Sequence, residues 1–352
     1  MLVVLFAVAF SVIACDENNG VGSNGGGGDV YVYMTDFQSA ALGAFAVGDS
    51  SVEIIPLNEL HTDATIRTTD DRVFVLERLG KDAVIVLDPA SPTTPVANYS
   101  VGNGLNPQDM VFVSDRAYVL RHNAPNILVV NPTTGDSLAS VDLSSVADAD
   151  GIPEMVDGLL VGNTLYVVCQ LLDQTQWFSP TGPGKVVALD VTTNAITEIF
   201  DLTISNPEAI TERNGRLYVS GGSWYDLTSN GIDVVDVPQS QVTRLVEGSA
   251  LSGRPGTIVT VGSTNDAWVV VSQTWPNGAV YQIDLATGAI VDSLAGLGSP
   301  AQIVKSGEAL VVSDRGEATS GIYVFDVTTG DALQSRITTP LPPDALAAFG
   351  TN

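Results

Sequence analysis

Few groups in this chain are equipped for chemistry. His61 and His122 are its only histidines and stand far apart in sequence, so three-histidine metal centres and haem-ligating sets cannot be assembled. No Gly-x-Ser-x-Gly elbow occurs, and the shortage of histidine weakens any serine triad. Cys169 ends the run Leu165-Tyr166-Val167-Val168-Cys169, a strand pattern in which a thiol reads as a buried structural group. Carboxylates and indoles remain. Gln108, Glu154, Glu208, Gly256, Ala301 and Asp344 each follow a proline, and Asp63 fills the corresponding place in a stretch without one. Asp148, Asp150, Glu154 and Asp157 crowd one segment with Asp-x-Asp-Gly spacing, which could wrap oxygens around calcium or another hard cation. Trp177-Phe178, Trp224-Tyr225 and Trp275 fall in loop-like stretches, where an exposed indole is costly unless it packs or binds something.

The elements that must hold these groups recur from residue 29 onward. One unit is a β-rich run followed by Asp-x-x-Thr-Gly or a variant. It begins at Asp190, Asp284 and Asp326, with weaker copies at Asp88, Asn131 and Asp236. Between alternating apolar runs it predicts a hairpin: the Asp or Asn caps turn amides, and the Gly or Asn accepts positive φ. A second unit is a Tyr-Val-like strand, seen at Tyr31, Phe74, Tyr118, Tyr166, Tyr218, Trp268 and Leu310. These seven copies lie 42 to 52 residues apart, the span of a four-stranded blade. Later copies are preceded by Pro-x-x-apolar, as at Pro207-Glu208-Ala209-Ile210, while the first has no such segment. An orphan of that type, Pro343-Asp344-Ala345-Leu346, ends the chain. It is expected to supply the innermost strand of the first blade, closing the ring and removing its open edges.

With these motifs, residues 29–352 resemble the YVTN-type β-propellers. The resemblance implies an all-β, seven-bladed propeller of four-stranded antiparallel blades, usually extracytoplasmic, with no single activity attached. The Ser-x-Asp-x-Gly-x-Thr-Trp box of sialidase propellers is absent. In such a fold the loop leading into each innermost strand and the loop after each Tyr-Val strand share one face. Asp63, Gln108, Glu154, Glu208 and Asp344 then form a ring at the channel mouth, beside the tryptophans of blades four to six. Two readings stay open for the ring: a site for a cation or cationic ligand, or an acidic rim neutralised by Arg78, Arg121, Arg254 and Arg315. The indoles either bind a ligand or fold back as lids, and the 148–157 loop either holds an ion or does not.

Residues 2–14 form an apolar run too short to span a membrane and suited to a signal-peptide core. Val12-Ile13-Ala14-Cys15 resembles the bacterial lipobox. That implies removal of residues 1–14, lipidation of Cys15 and a Gly/Asn-rich tether over 15–28. Two or more acyl chains would anchor the protein firmly. The alternative is a plain secretory signal cut nearby; the missing Lys or Arg after Met1 would be explained by an upstream start codon.

Asp and Glu number 40 against 14 Lys and Arg, for a formal net charge of -26. Such a surface repels phosphate backbones and excludes nucleic acid as a partner. Scarcity of lysine (Lys81, Lys185 and Lys305) fits either a high-salt habitat or an acidic secretome. The expectation is a monomeric envelope lipoprotein with no catalytic residues, facing the periplasm or the surface, a non-enzymatic binding or scaffolding module for a glycan or peptide. The alternative is a hydrolase or lyase of extracellular polysaccharide. Two carboxylates beside one aromatic cleft would favour the enzyme, and an arginine-neutralised face the scaffold.

Overall fold

The computed structural model describes residues 30–349 apart from Tyr225 and Ser263. The lipobox, Cys15 and the tether lie outside the described residues. Seven antiparallel sheets stand around one axis as a β-propeller. Pro343–Ala348, Val30–Thr35, Ala40–Phe45 and Glu53–Ile55 make blade one in that order from the axis outward. The ring therefore closes as the sequence implies, with Tyr31 paired to Ala347 and Tyr33 to Ala345. Blades two to six are four-stranded, and each Tyr-Val segment is the second strand of its blade. Blade seven has three strands, with the bridges Ile322–Ile337 and Phe325–Ala332 in place of a fourth.

Turn chemistry explains the outer hairpins. Asp190 accepts from the amides of Thr192 and Thr193, and Asp326 from those of Thr328 and Thr329. Asn194, at φ 57°, takes the left-handed place that Gly330 fills at φ 71° in blade seven.

Cohesion between blades is apolar, with each core cluster made by two neighbours. Tyr118 and Leu120 of blade three pack with Leu165 and Val167 of blade four, and Val30 and Val32 of blade one with Val311 and Val324 of blade seven. The aromatic of the Tyr-Val strand also reaches the next blade's hairpin. Tyr118 Oη donates to the Val191 carbonyl at 3.1 Å and Trp268 Nε1 to that of Val327 at 2.7 Å. These polar tips are thereby satisfied inside an apolar seam.

Around the axis, one position of the innermost strands hands an oxygen to the next blade. Asp109 accepts from Gly158 N, Asp157 from Ile210 N, and Gln302 from Leu346 N. The second strands all run toward the face bearing the tryptophan loops. Val30 begins such a strand, so the N-terminal end of the described residues lies at the opposite face.

Candidate functional site

The loops over the tryptophan face surround a polar funnel of about 420 Å³ on the axis. Its rim is shaped by a β-bulge at the start of six innermost strands. The register slips between Pro107 and Asp109, Met155 and Asp157, Pro207 and Ala209, Pro255 and Ile258, and Pro300 and Gln302. A matching slip in blade one leaves Asp344 unpaired. The skipped residues include Gln108, Val156, Glu208, Gly256 and Ala301, as a bulge requires.

Two members of the sequence-expected ring sit elsewhere. In blade four the bulged residue is Val156, and Glu154 stands two positions earlier with a fully buried side chain. Its backbone carbonyl accepts from Gln170 N, as that of Asn106 accepts from His122 N in blade three. Pro153 is therefore not the counterpart of Pro107; Met155 is. Aligning Asp157 with Asp109 would have revealed this. Asp63 occupies the same earlier position in blade two, where no bulge forms and Thr65 lines the funnel.

Asp63 and the two acids that stay at the rim, Glu208 and Asp344, are each matched by an arginine. Asp63 is held by Arg78 at 2.5 Å, and Arg78 also donates to Gln108 Oε1 at 3.1 Å. Glu208 pairs with Arg254, and Asp344 with Arg315 at 2.7 Å. Arg121 does not share this work: it is buried, and donates to the carbonyls of Val101 and Asn126. Deeper in the funnel Arg67 reaches Asp109, and burial together with that neighbouring carboxylate pushes the Asp157 carboxyl well up. Both aspartates are spent on backbone amides of adjoining strands.

His122 also faces the funnel. Its Nε2 lies 3.2 Å from Gln170 Oε1 and its Nδ1 2.9 Å from Asn123 Oδ1, and burial pushes its pKa down. The Phe178 ring stands over it at 5.9 Å.

The four acids of the 148–157 segment do not gather into one ligand set, although Asp148 and Asp150 lie close enough to help raise the Glu154 carboxyl. Asp148 accepts from Asp150 N, Asp150 from Ile152 N, and Glu154 from Leu172 N and Gln174 Nε2, while Asp157 belongs to the axial network. Glu154, desolvated by burial, is pushed up to about 7. Among the described residues no group of three or more His, Cys, Asp or Glu is arranged to hold a metal ion.

Aromatic exposure is concentrated on this face. Phe37, Trp177, Phe178, Trp224 and Trp275, the exposed aromatics among the described residues, all lie in loops that follow a second strand. Trp177 and Trp275 are 88% and 84% exposed, so neither folds back as a lid. Tyr225 lies outside the described residues. Trp224 and Trp275 line one groove of about 690 Å³ between blades five and six, with Leu227, Arg254, Gln273 and Asn277. Trp177 is not among the residues lining it. Arg254 lines both groove and funnel. Sequence reasoning missed Leu227 and the polar liners, because an apolar residue in a short loop carries no periodic signal.

No family model matches the chain, and no curated protein matches it in sequence. Among solved structures it is similar to a putative 6-phosphogluconolactonase from Bacteroides fragilis, at 13% identity and TM-score 0.64, over 90% of this chain and 96% of that one. It is similar to the dihydro-heme d1 dehydrogenase NirN at 13% identity and TM-score 0.58, over 92% and 75%. The likeness to apo AztD from Citrobacter koseri has 12% identity and TM-score 0.53, over 91% and 96%. Proteins of such different description share a fold with this chain and not a demonstrated activity; what the chain is shown to be is a seven-bladed β-propeller.

Proposed function

We propose that this chain is a non-enzymatic binding module of the bacterial cell envelope, a YVTN-type propeller anchored through lipid on Cys15. Its aromatic face receives the ligand, a glycan or a peptide. The observation that carries this reading is the gathering of every exposed aromatic among the described residues onto one face. A soluble surface rarely keeps such a concentration without a partner. Val30 at the opposite face supports a display in which the ligand face points away from the membrane. The arginine-matched rim supports a binder over an enzyme: Glu208, Asp344 and the nearby Asp63 are paired, and Asp109 and Asp157 bond to backbone.

The test has two arms. Mass spectrometry of the membrane fraction should find acylated Cys15, and Cys15→Ser should release the protein to the soluble fraction. Oligosaccharide and peptide arrays should yield a ligand lost in a Trp177→Ala/Trp224→Ala/Trp275→Ala variant that melts like the parent. Turnover of a polysaccharide by the purified protein, or array binding indifferent to the three tryptophans, would overturn the reading.

A further inference from the structure

We propose that the groove between blades five and six is a carbohydrate site that takes an uncharged saccharide. The inference rests on the reading of the aromatic face as a ligand seat and names the chemistry of its occupant. A sugar ring has an apolar C–H face and an edge of hydroxyls, so its receptor needs flat apolar surface beside neutral donors and acceptors. The groove offers both. Trp224 and Trp275 are its indoles, 49% and 84% exposed. Gln273, Asn277 and Ser252 are among its uncharged polar liners.

The charge of the lining disfavours the competing ligands. Among the described residues, Arg254 is the one ionic side chain lining the groove, and it is already paired with Glu208. A cationic peptide finds no carboxylate among the described residues that line the groove, and an anionic glycan must displace Glu208 against a chain of net charge -26. An uncharged saccharide meets neither penalty.

The loops that carry the indoles are also fixed before a ligand arrives. Gln273 N donates to the Asn277 carbonyl at 2.9 Å and Asn277 N to that of Thr274 at 2.8 Å, fixing the turn that carries Trp275. In the loop that carries Trp224, Ser223 N donates to Asn230 Oδ1 at 2.7 Å, and Asp226 accepts from Thr228 N. A loop fixed in its bound shape loses less entropy on binding. The volume, about 690 Å³, suits a short oligosaccharide rather than a polymer wrapped over the whole face.

The experiment titrates the purified full chain in detergent, by tryptophan fluorescence and calorimetry. The probes are the hexasaccharides of glucose (α-1,4 and β-1,4), xylose, mannose and N-acetylglucosamine, with hexagalacturonate and hexalysine as charged competitors. At least one neutral hexasaccharide should bind and shift the emission. Its affinity should change less than about twofold between low and high sodium chloride, because no charge is screened. Trp224→Ala and Trp275→Ala should each weaken it at least tenfold with an unchanged melting midpoint. Trp177→Ala, away from the groove, should leave it within twofold. Binding of hexalysine or hexagalacturonate in place of every neutral sugar would overturn this proposal while leaving the binding-module reading intact. If no probe binds, the neutral-saccharide assignment is lost, and the peptide arrays then decide the broader reading.

Discussion

Arg67 Nε donates to Asp109 Oδ1 at 2.5 Å, tying the innermost strand of blade two to that of blade three. The same carboxylate accepts from Met110 N at 2.7 Å and from Gly158 N of blade four at 2.9 Å. One buried side chain thus binds three consecutive blades where the fold is narrowest. Its second neighbour, Asp157, continues the chain of contacts to Ile210 N in blade five. This network is structural in character: its acceptors face amides, and its cation faces a carboxylate.

Removing Asp109 should therefore cost stability out of proportion to its size. Asp109→Ala takes the nearest carboxylate from the Arg67 guanidinium and leaves two amide contacts unmade, a class of change that costs up to about 3–5 kcal/mol where the pair is fully buried. Asp109→Asn, which keeps an oxygen for Gly158 N, should lose less. Equilibrium denaturation in urea, with the slope unchanged, is the measurement. Equal stability of Asp109→Ala and the parent would remove the axial network from the account of the fold.

Glu154 and Asp157 make a pH prediction whose sign is fixed. Both carboxyls are raised in the folded protein by burial, Glu154 to about 7 from an ordinary 4.5. A raised acid binds its proton more tightly when folded. Its contribution is fully present below the unfolded pKa and is lost as pH rises through the folded one. The melting midpoint should accordingly fall between about pH 5 and pH 8. Glu154→Gln, uncharged throughout, should flatten that slope while still accepting from Leu172 N. A slope that persists undiminished in Glu154→Gln would assign the effect to other groups.

Much of the fold was legible because it rests on local, repeated chemistry. The turn acids and the second-strand aromatics each announce a strand boundary, and seven copies fix the count. The ring closure followed from counting the Pro-x-x-apolar segments against the Tyr-Val strands. The rim was read less well. A bulge moves which residue faces the axis, and proline is only one of the residues that can open it. In blade four Met155 opens the bulge, so proline spacing points Glu154 to the channel mouth, whereas the structure buries it. The pairing of Asp63, Glu208 and Asp344 with arginines depends on contacts that sequence spacing does not encode. Arg121 shows the limit, since its position in the strand resembles that of the rim arginines while its side chain turns inward.

Closure of the ring gives a third prediction. Pro343–Ala348 fills the innermost place of blade one, and the Ala348 carbonyl accepts from Thr68 Oγ1 of blade two at 2.6 Å. Leu346 packs in the seam between blades seven and one. Deleting residues 340–352 exposes the edge of Val30–Thr35 and opens both seams at once. The truncated chain should aggregate or melt far below the parent. A transition of unchanged midpoint and cooperativity would show that the velcro-like strand is dispensable.

The fourth prediction concerns salt. With a formal net charge of -26, the folded chain repels itself over distances that ionic strength controls. The pairs Asp63–Arg78, Glu208–Arg254 and Asp344–Arg315 are partly shielded by protein, so screening weakens them less than it weakens long-range repulsion. The net effect of sodium chloride at neutral pH should be stabilising. The midpoint should rise continuously toward molar salt, where the Debye length is about 3 Å. Near pH 4 the carboxylates lose most of their charge, and the chain approaches its neutral point. There the repulsion is gone, and added salt should leave the midpoint nearly unchanged. This pair of conditions separates self-repulsion from a general effect of salt on apolar burial, which would act at both pH values. A midpoint that rises equally at pH 4 and pH 7 would assign the stabilisation to burial. One that falls at pH 7 would show that the ion pairs outweigh the repulsion.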